Sequence, residues 1–296
     1  AGYPTDENEE FLQNYNLPEF MPAAVEAIFI NGVLNLRSNK GALYVWAAGN
    51  EYDIKSISGV CGTGEPLSCT EASIDRKNGV PWIIPVASLD ANGVKSSYST
   101  PGSSMWVSGF GGEYGYDGSV YSGASGDLIE TAIMTVDRTS CSLGSSKTGS
   151  DSTAGVNKFD LAGQNFSEQQ TLNPNCNYLS SFNGTSSVAP SVAGVIALML
   201  EANSALTWRD VKHILVTTSD KVDASRTTSL GGITQYAWVQ NAAGHEHHNW
   251  YGFGKINATA AVNAAASYSA NSLGTFTNTG FLSETINAAI PIGIKT

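Results

Sequence analysis

A ten-residue stretch, "FNGTSSVAPS" at positions 182–191, places two adjacent serines directly before an apolar run. Because a helix N-terminus carries unpaired N–H groups and a partial positive charge, it favours an anion that develops nearby. Ser186 at such a position could attack a carbonyl carbon while its own backbone N–H helps to bind the oxyanion. A serine that only caps the helix is the alternative interpretation, and this stretch alone does not separate the two.

A second stretch, "YVWAAGN", ends a short apolar run at Asn50. The bounded run predicts a buried parallel strand that is followed by a turn. A carboxamide at the carboxyl end of a strand can donate a hydrogen bond to an oxyanion, which stabilises the transition state by roughly 3–4 kcal/mol. Gly49-Asn50 taken alone indicates only a turn.

Alternating apolar runs predict the elements that must position these residues. Apolar residues at helical spacing predict helices over 22–36, directly after the two serines, over 207–219 and within 251–268. We expect strands within 41–50, 81–90, 91–112 and 131–137. Thr207 and Asp210 have the spacing of a capping box. Strands that alternate with helices indicate an α/β fold with a largely parallel sheet, whose reactive groups gather at the carboxyl ends of the strands.

Together these stretches resemble the subtilisin-like serine proteases, or subtilases, whose signature is G-T-S-x-x-x-P. Here it reads Gly184-Thr185-Ser186-Ser187-Val188-Ala189-Pro190. Residues 31–50, 194–219 and 251–258 resemble most the kexin/furin branch, and the resemblance spans about residues 1–268. It implies a three-layer fold, with helices on both faces of the sheet, that is truncated at its N-terminus. Residues 1–269 would be the C-terminal part of the catalytic domain. Residues 270–296 would be a linker or the start of a truncated C-terminal β domain.

The resemblance also implies roles for individual residues in the hydrolysis of a peptide or protein substrate. Ser186 would be the nucleophile and Asn50 the oxyanion donor. A wall of the S1 pocket would come from "AGYPTDENEE" at the start of the chain, where Asp6 and Glu7 would supply acidic groups; a solvated acidic terminus is the alternative. Residues 79–82 would lie at the base of that pocket. The other substrate-binding residues would be Trp46, Ala47, Ala48, Gly49 and Thr185.

Two parts of the family's catalytic apparatus have no counterpart in the sequence. In subtilases an Asp in D-[ST]-G and a His in H-G-T precede the oxyanion Asn, and neither pattern occurs here. The 49 residues before Asn50 contain no histidine. We therefore expect an upstream segment of the same protease to supply Asp and His. The alternative is an inactive subtilase-fold fragment, or pseudoenzyme, that acts as a binding module.

The histidines of this chain all lie downstream of Asn50. His213 falls in a predicted helix, at a position where relatives also carry a histidine that is not catalytic. The cluster "HEHH" contains His245, His247 and His248, and we interpret it as a surface loop rather than a metal site because its spacing is not helical.

The resemblance makes structural calcium possible, with Asp53 and Asp90 as weak candidates. Convertases carry a calcium-binding glutamate where this chain reads "SSYSTPG" at 96–102, so a dibasic specificity is in doubt. A dinucleotide site at "GFGGEYG" is disfavoured because no helix follows it, and the G-x-S-x-G of α/β-hydrolases does not occur.

Charge and cysteine content bound the partners and the compartment. A net charge of −11, without a basic cluster, argues against a nucleic-acid partner. No stretch of the sequence reaches 18 apolar residues, so we expect no membrane span. Each of two cysteine pairs, Cys61–Cys69 and Cys141–Cys176, brackets a Gly/Ser-rich loop, so we expect two local disulfides. Free thiols and the other pairings of these cysteines are the alternatives. Disulfides would indicate an oxidising compartment, secreted, extracellular or periplasmic. The opening residues show no signal-peptide pattern, and we interpret the chain as a mature piece or a fragment.

Overall fold

The computed structural model of the chain describes residues 21–52, 70–115, 131–146, 173–230 and 233–275. Its helices are α1 (Ala23–Asn39), α2 (Thr185–Ala202), α3 (Trp208–Thr218) and α4 (Ala258–Ser267). Its strands are β1 (Tyr44–Ala47), β2 (Ile83–Leu89), β3 (Val107–Phe110), β4 (Ile133–Val136), β5 (Tyr178–Phe182), β6 (Thr228–Leu230), β7 (Ile233–Tyr236), β8 (Val239–Gln240) and β9 (Glu246–His247).

Strands β1, β2 and β3 form a parallel sheet in that order. Tyr44 pairs with Ile83 and Val86 pairs with Val107. Every residue of β2 is buried, as expected for a central strand that is covered on both faces. The predicted parallel sheet is therefore present, and its three strands come from the stretches that the apolar runs indicated.

Alternating side chains of the sheet pack into two separate apolar clusters. Val45, Ile84 and Val86 face a cluster that α2, α3 and α4 complete. Tyr44 and Ile83 face the opposite side, where α1 packs. Because successive side chains of a strand point to opposite faces, this separation places helices on both sides of the sheet and gives the three-layer α/β arrangement.

Helix α2 is the central helix of the domain and begins beside the sheet. Its buried residues, among them Val188, Val192 and Ile196, pack against β1, β2 and β3. Among the described residues, α2 is long and apolar enough to cross a membrane by length and composition alone. Its contacts with the sheet and with α4 instead make it a core helix.

Two helix ends match the sequence signals. Thr207 Oγ1 accepts the backbone N–H of Asp210 and the Asp210 carboxylate accepts the backbone N–H of Thr207, so the predicted capping box forms at α3. Within α1 the backbone leaves the helical region at Leu36, where the apolar pattern predicted the helix to end.

The predicted strand 131–137 forms outside the parallel sheet. It is β4, which pairs in antiparallel fashion with β5, and β5 leads directly to Ser186. A disulfide joins Cys141 to Cys176 across this ribbon. Cys61 and Cys69 lie outside the described residues. Two further antiparallel ribbons, β6–β7 and β8–β9, were not predicted, because strands of two to four residues carry too few positions to show a period.

Candidate active site

Ser186 lies in the first turn of α2 with an exposed side chain. Gly184 precedes the helix as its N-cap with φ +101° and ψ 159°, and no side chain caps the helix there. This φ favours glycine, so Gly184 lets the chain turn sharply from β5 into the helix. Because Gly184 is the N-cap, the alternative that Ser186 merely caps the helix is wrong.

The adjacent Ser187 has the opposite environment. Its side chain is buried, and its hydroxyl donates to the carbonyl of Gly184 at 2.8 Å. The hydroxyl of Ser186 forms no hydrogen bond with the described residues. Of the two serines, Ser186 therefore has the accessible hydroxyl, and the buried Ser187 hydroxyl binds the carbonyl of Gly184 in the turn.

Asn50 lies at the carboxyl end of β1, opposite the start of α2. Its Oδ1 accepts the backbone N–H of Thr185 at 2.9 Å and the hydroxyl of Thr185 at 3.0 Å. The backbone N–H of Gly49 in turn donates to Thr185 Oγ1 at 3.2 Å. These contacts join the end of the strand to the helix start and engage the oxygen end of the Asn50 carboxamide. Its Nδ2 is thereby left as the donor beside Ser186.

A cavity of about 340 Å³ opens beside Ser186 and Asn50. The structure brings Trp46, Ala47, Ala48, Gly49 and Thr185 together along it, all residues that the resemblance placed at substrate. Asp6 and Glu7 lie outside the described residues. The remaining lining residues are Glu51, Thr70, Glu71, Ala72, Ile74, Asp75, Asn78 and Thr100.

The cavity is acidic. Three carboxylates, those of Glu51, Glu71 and Asp75, line it, and none of the described residues that line it is cationic. Lys77 pairs with Asp75 at 3.2 Å and stacks over the ring of Trp46 from outside the cavity. Glu51 and Glu71 accept hydrogen bonds from uncharged groups instead. The net charge of the cavity wall is therefore negative.

Residues 79–82, which the resemblance placed at the base of the S1 pocket, adjoin this cavity through Asn78. Residues 79–82 are not among its lining residues, and Gly79, Val80 and Pro81 line a second cavity, of about 270 Å³. Two short 3₁₀ turns, Ala72–Ile74 and Arg76–Gly79, bring the preceding residues Asp75 and Asn78 to the first cavity instead.

The histidine cluster is not the surface loop that we expected. His248 is fully buried against Trp238, Trp250 and Tyr251, and burial lowers its pKa to about 4. His247 lies in β9 with its Nε2 3.0 Å from the carbonyl oxygen of Met105, and burial lowers its pKa as well. The His248 ring packs in an aromatic cluster and the His247 ring meets Phe253 edge-on, and none of the described histidines lines the cavity beside Ser186.

Calcium finds little support in the described part of the chain. Within these residues no group of three or more His, Cys, Asp or Glu side chains is placed to hold a metal ion. Asp90 Oδ1 accepts the backbone N–H groups of Asn92 and Val94 and so closes a turn. Asp53 lies outside the described residues.

Residues 13–254 match the model of the Subtilase family. This match covers more than half of the chain and includes both Asn50 and Ser186. The fold and the site define a subtilisin-like α/β protein, and the chain belongs to the subtilase family.

The relatives found include bacterial proteases and convertases. The chain is 30% identical over 282 residues to the Aeromonas extracellular serine protease of Aeromonas sobria, covering 88% of this chain and 42% of that protein. It is 28% identical over 246 residues to Furin-1 of Xenopus laevis, covering 82% of this chain and 22% of that protein. The chain thus spans less than half the length of these relatives.

Solved structures agree with this assignment. The crystal structure of the serine protease of Aeromonas sobria superposes with a TM-score of 0.67 at 27% identity, covering 87% of this chain and 43% of that one. The same protease in complex with its chaperone, ORF2, gives a TM-score of 0.66.

Four features of the site escaped the sequence interpretation. Glu51, Glu71 and Asp75 gave no signal, because a carboxylate in a polar loop is most often solvated. The hydroxyl of Tyr98, which contacts the nucleophile turn, was also missed. Its position in "SSYSTPG" was compared with a calcium ligand, and an isolated tyrosine in a polar loop carries no pattern.

Proposed function

We propose that this chain is part of a serine endopeptidase in which Ser186 is the nucleophile and Asn50 the oxyanion donor. The observation that carries this is the pairing of an exposed, unbonded Ser186 hydroxyl with a carboxamide whose oxygen is held by Thr185. In the first step Ser186 Oγ attacks the substrate carbonyl carbon and its proton passes to a base. Asn50 Nδ2 and the backbone N–H of Ser186 stabilise the oxyanion.

The second half of the reaction follows the same geometry. Collapse of the tetrahedral intermediate breaks the peptide C–N bond and leaves an acyl group on Ser186, while the base returns its proton to the leaving amine. Water then attacks the acyl carbon and regenerates the serine. The chain's four histidines all lie outside the lining of the cavity beside Ser186. Asp and His are therefore proposed to come from a further segment of the protease, without which the chain is inactive.

The disulfide supports a compartment for the protein, and the acidic cavity supports a class of substrate. The Cys141–Cys176 disulfide and the extracellular relative in Aeromonas sobria support secretion. The substrate is a peptide or protein whose side chain enters the acidic cavity beside Ser186.

Labelling with a fluorophosphonate probe tests the proposal. In the native protein that contains this chain, the probe should modify Ser186, and Ser186→Ala should abolish both labelling and peptide hydrolysis. Ser187→Ala is the matched control, because it removes the neighbouring hydroxyl; it should still be labelled at position 186. The isolated 296-residue chain should not be labelled.

Each contrary result has a distinct meaning. A native protein that resists the probe is not a protease of this type, and the non-catalytic binding module becomes the better account. Labelling at Ser187 would move the nucleophile by one residue. Labelling of the isolated chain would show that it supplies its own base.

A further inference from the structure

The hydroxyl of Tyr98 lies directly beneath the turn that carries Ser186. It accepts the backbone N–H of Gly184 at 2.8 Å, and the Tyr98 side chain is 4% exposed. Gly184 is the N-cap of α2 and stands two residues before Ser186. The N–H of a helix N-cap has no partner within the helix, so in this buried place it depends on Tyr98.

The same hydroxyl also contacts the end of β3. Its oxygen lies 2.6 Å from the carbonyl oxygen of Gly112 and 2.9 Å from that of Gly111. A phenol has one proton to donate and can accept hydrogen bonds at its oxygen. The Tyr98 hydroxyl therefore accepts the N–H of Gly184 and donates to the carbonyls that follow β3. One oxygen atom thus joins the two backbone segments.

The backbones that Tyr98 joins are already in close contact. A side-chain carbon on Gly111 would lie 2.9 Å from the carbonyl oxygen of Gly184. Ser187 holds that same carbonyl from within the helix. Both polar groups of Gly184 are thus bonded, its N–H to Tyr98 and its C=O to Ser187, so the orientation of this residue is fixed from two sides.

Further buried hydroxyls hold Tyr98 in place. Ser96 donates to the carbonyl of Gly112 at 2.9 Å, and Ser88 Oγ lies 3.0 Å from the Tyr98 oxygen. Burial raises the pKa of Tyr98, so the group remains protonated and keeps its donor proton. The ring itself needs no hydroxyl to pack, since it meets Tyr114 edge-on at 5.9 Å.

We propose that Tyr98 is a positioning residue for the nucleophile, and this inference rests on the proposed function. Its hydroxyl fixes the Gly184 peptide and so sets Ser186 Oγ relative to Asn50 Nδ2 across the cavity. Tyr98 does not touch the reacting atoms. A phenylalanine at this position would fill the same volume and leave the Gly184 N–H buried without a partner.

The kinetics of fluorophosphonate labelling test this in the native protein. Tyr98→Phe should lower the maximal inactivation rate, kinact, by about 10- to 100-fold, as expected for a displaced nucleophile, with the half-saturating probe concentration, KI, unchanged. Tyr251→Phe is the matched control. Tyr251 is fully buried and its hydroxyl bonds Asp223 at 2.7 Å, but the residues it contacts do not include the nucleophile turn. Its kinact should change by less than about twofold, within the range of uncoupled sites.

A second variant covers the case in which Tyr98→Phe does not fold. Tyr98→4-aminophenylalanine keeps an N–H donor for the carbonyls of Gly111 and Gly112 but accepts the Gly184 N–H poorly, so its kinact should also fall below that of the wild type. Equal kinact for wild type and a folded Tyr98→Phe, or equal losses in Tyr98→Phe and Tyr251→Phe, would overturn the inference. A wild-type protein that does not label at all would instead overturn the proposed function.

Discussion

Asn50 Oδ1 accepts two hydrogen bonds from Thr185, one from its backbone N–H at 2.9 Å and one from its hydroxyl at 3.0 Å. Two donors on one oxygen determine which end of the carboxamide faces the cavity. Because Oδ1 is occupied, Nδ2 is the end that remains to donate. The carboxyl end of β1 and the start of α2 thus orient the proposed oxyanion donor before any substrate arrives, so its orientation costs nothing at the moment of reaction.

The substitution Asn50→Asp tests the role of the Nδ2 donor separately from that of the Oδ1 acceptor. The carboxylate keeps an oxygen for Thr185 but loses the donor and adds a negative charge next to the oxyanion. We expect kcat to fall by about 10²–10³-fold, with little change in KM, because the lost bond forms in the transition state. Steady-state peptide hydrolysis by the native protein measures both constants.

Thr185→Ser is the control for that substitution, since it preserves the hydroxyl that binds Asn50 Oδ1. Its kcat should stay within about threefold of the wild-type value, as for a substitution that keeps the transition-state contact. An Asn50→Asp variant with wild-type kcat would remove Asn50 from the reaction and leave the backbone N–H of Ser186 as the oxyanion donor.

The acidic cavity predicts a preference for substrates with a basic side chain at the residue before the scissile bond. Glu51 and Glu71 face the cavity without a cationic partner among the described residues, whereas the charge of Asp75 is offset by Lys77. In a partly desolvated pocket such a pairing contributes about 1.5–3 kcal/mol. Peptides with Arg should therefore exceed matched peptides with Leu by at least about tenfold in kcat/KM.

Glu71→Gln tests the origin of that preference. The substitution is nearly isosteric and its amide oxygen can still accept the hydrogen bonds of Ser103. It should lower kcat/KM for the Arg peptide and leave the Leu peptide unaffected. Glu246→Gln changes the same charge far from the cavity lining, at the exposed ion pair with Lys221, and should alter neither. Equal cleavage of Arg and Leu peptides by the wild type would contradict the prediction.

The sequence predicts those parts of the molecule that are marked by a pattern of neighbouring residues. The fully buried strand β2 appears as a continuous apolar run, and α2 follows a seven-residue signature with little room for variation. The capping box of α3 needs just two residues at a fixed spacing. In each case the signal is local, and local signals survive in a linear sequence.

What the sequence did not predict depends on contacts between distant residues. Asp75 reaches the cavity because two 3₁₀ turns shorten the chain before β2, and such turns leave no periodicity. His248 is buried because Trp238 packs against it together with the neighbouring Trp250 and Tyr251. Tyr98 meets Gly184 across 86 positions of sequence. Packing of this kind buries residues in segments whose polar composition predicts an exposed loop.

Breaking the Cys141–Cys176 disulfide should affect activity more than global stability. The bond closes a loop of sequence separation 35 and lies just before β5, the strand that leads into the nucleophile turn. Its loss frees the β4–β5 ribbon while the parallel sheet and α2 retain their contacts. A Cys141→Ser, Cys176→Ser double variant should lose at least about half of its kcat/KM with a small shift in Tm. A proportionate loss in both quantities would contradict a local role.

We expect the free energy of unfolding to rise between neutral and alkaline pH because of the buried Lys212. Its ammonium lies in α3, donates to the carbonyls of Pro81 and Ile83 at 2.7 Å each, and sits over the ring of Trp106. Burial lowers its pKa to about 7. The neutral amine still has two N–H groups, which match the two carbonyls.

The sign of this effect follows from proton counts. Between pH 7 and the normal lysine range, the unfolded chain holds a proton on Lys212 that the folded protein has lost, so the free energy of unfolding rises with pH. The slope is at most about 1.4 kcal/mol per pH unit. Urea unfolding from pH 7 to 10 should show this slope in the wild type, and Lys212→Met should remove it because methionine does not titrate. The same slope in both proteins would mean that Lys212 keeps its proton in the folded state and that the carbonyls and Trp106 outweigh its burial.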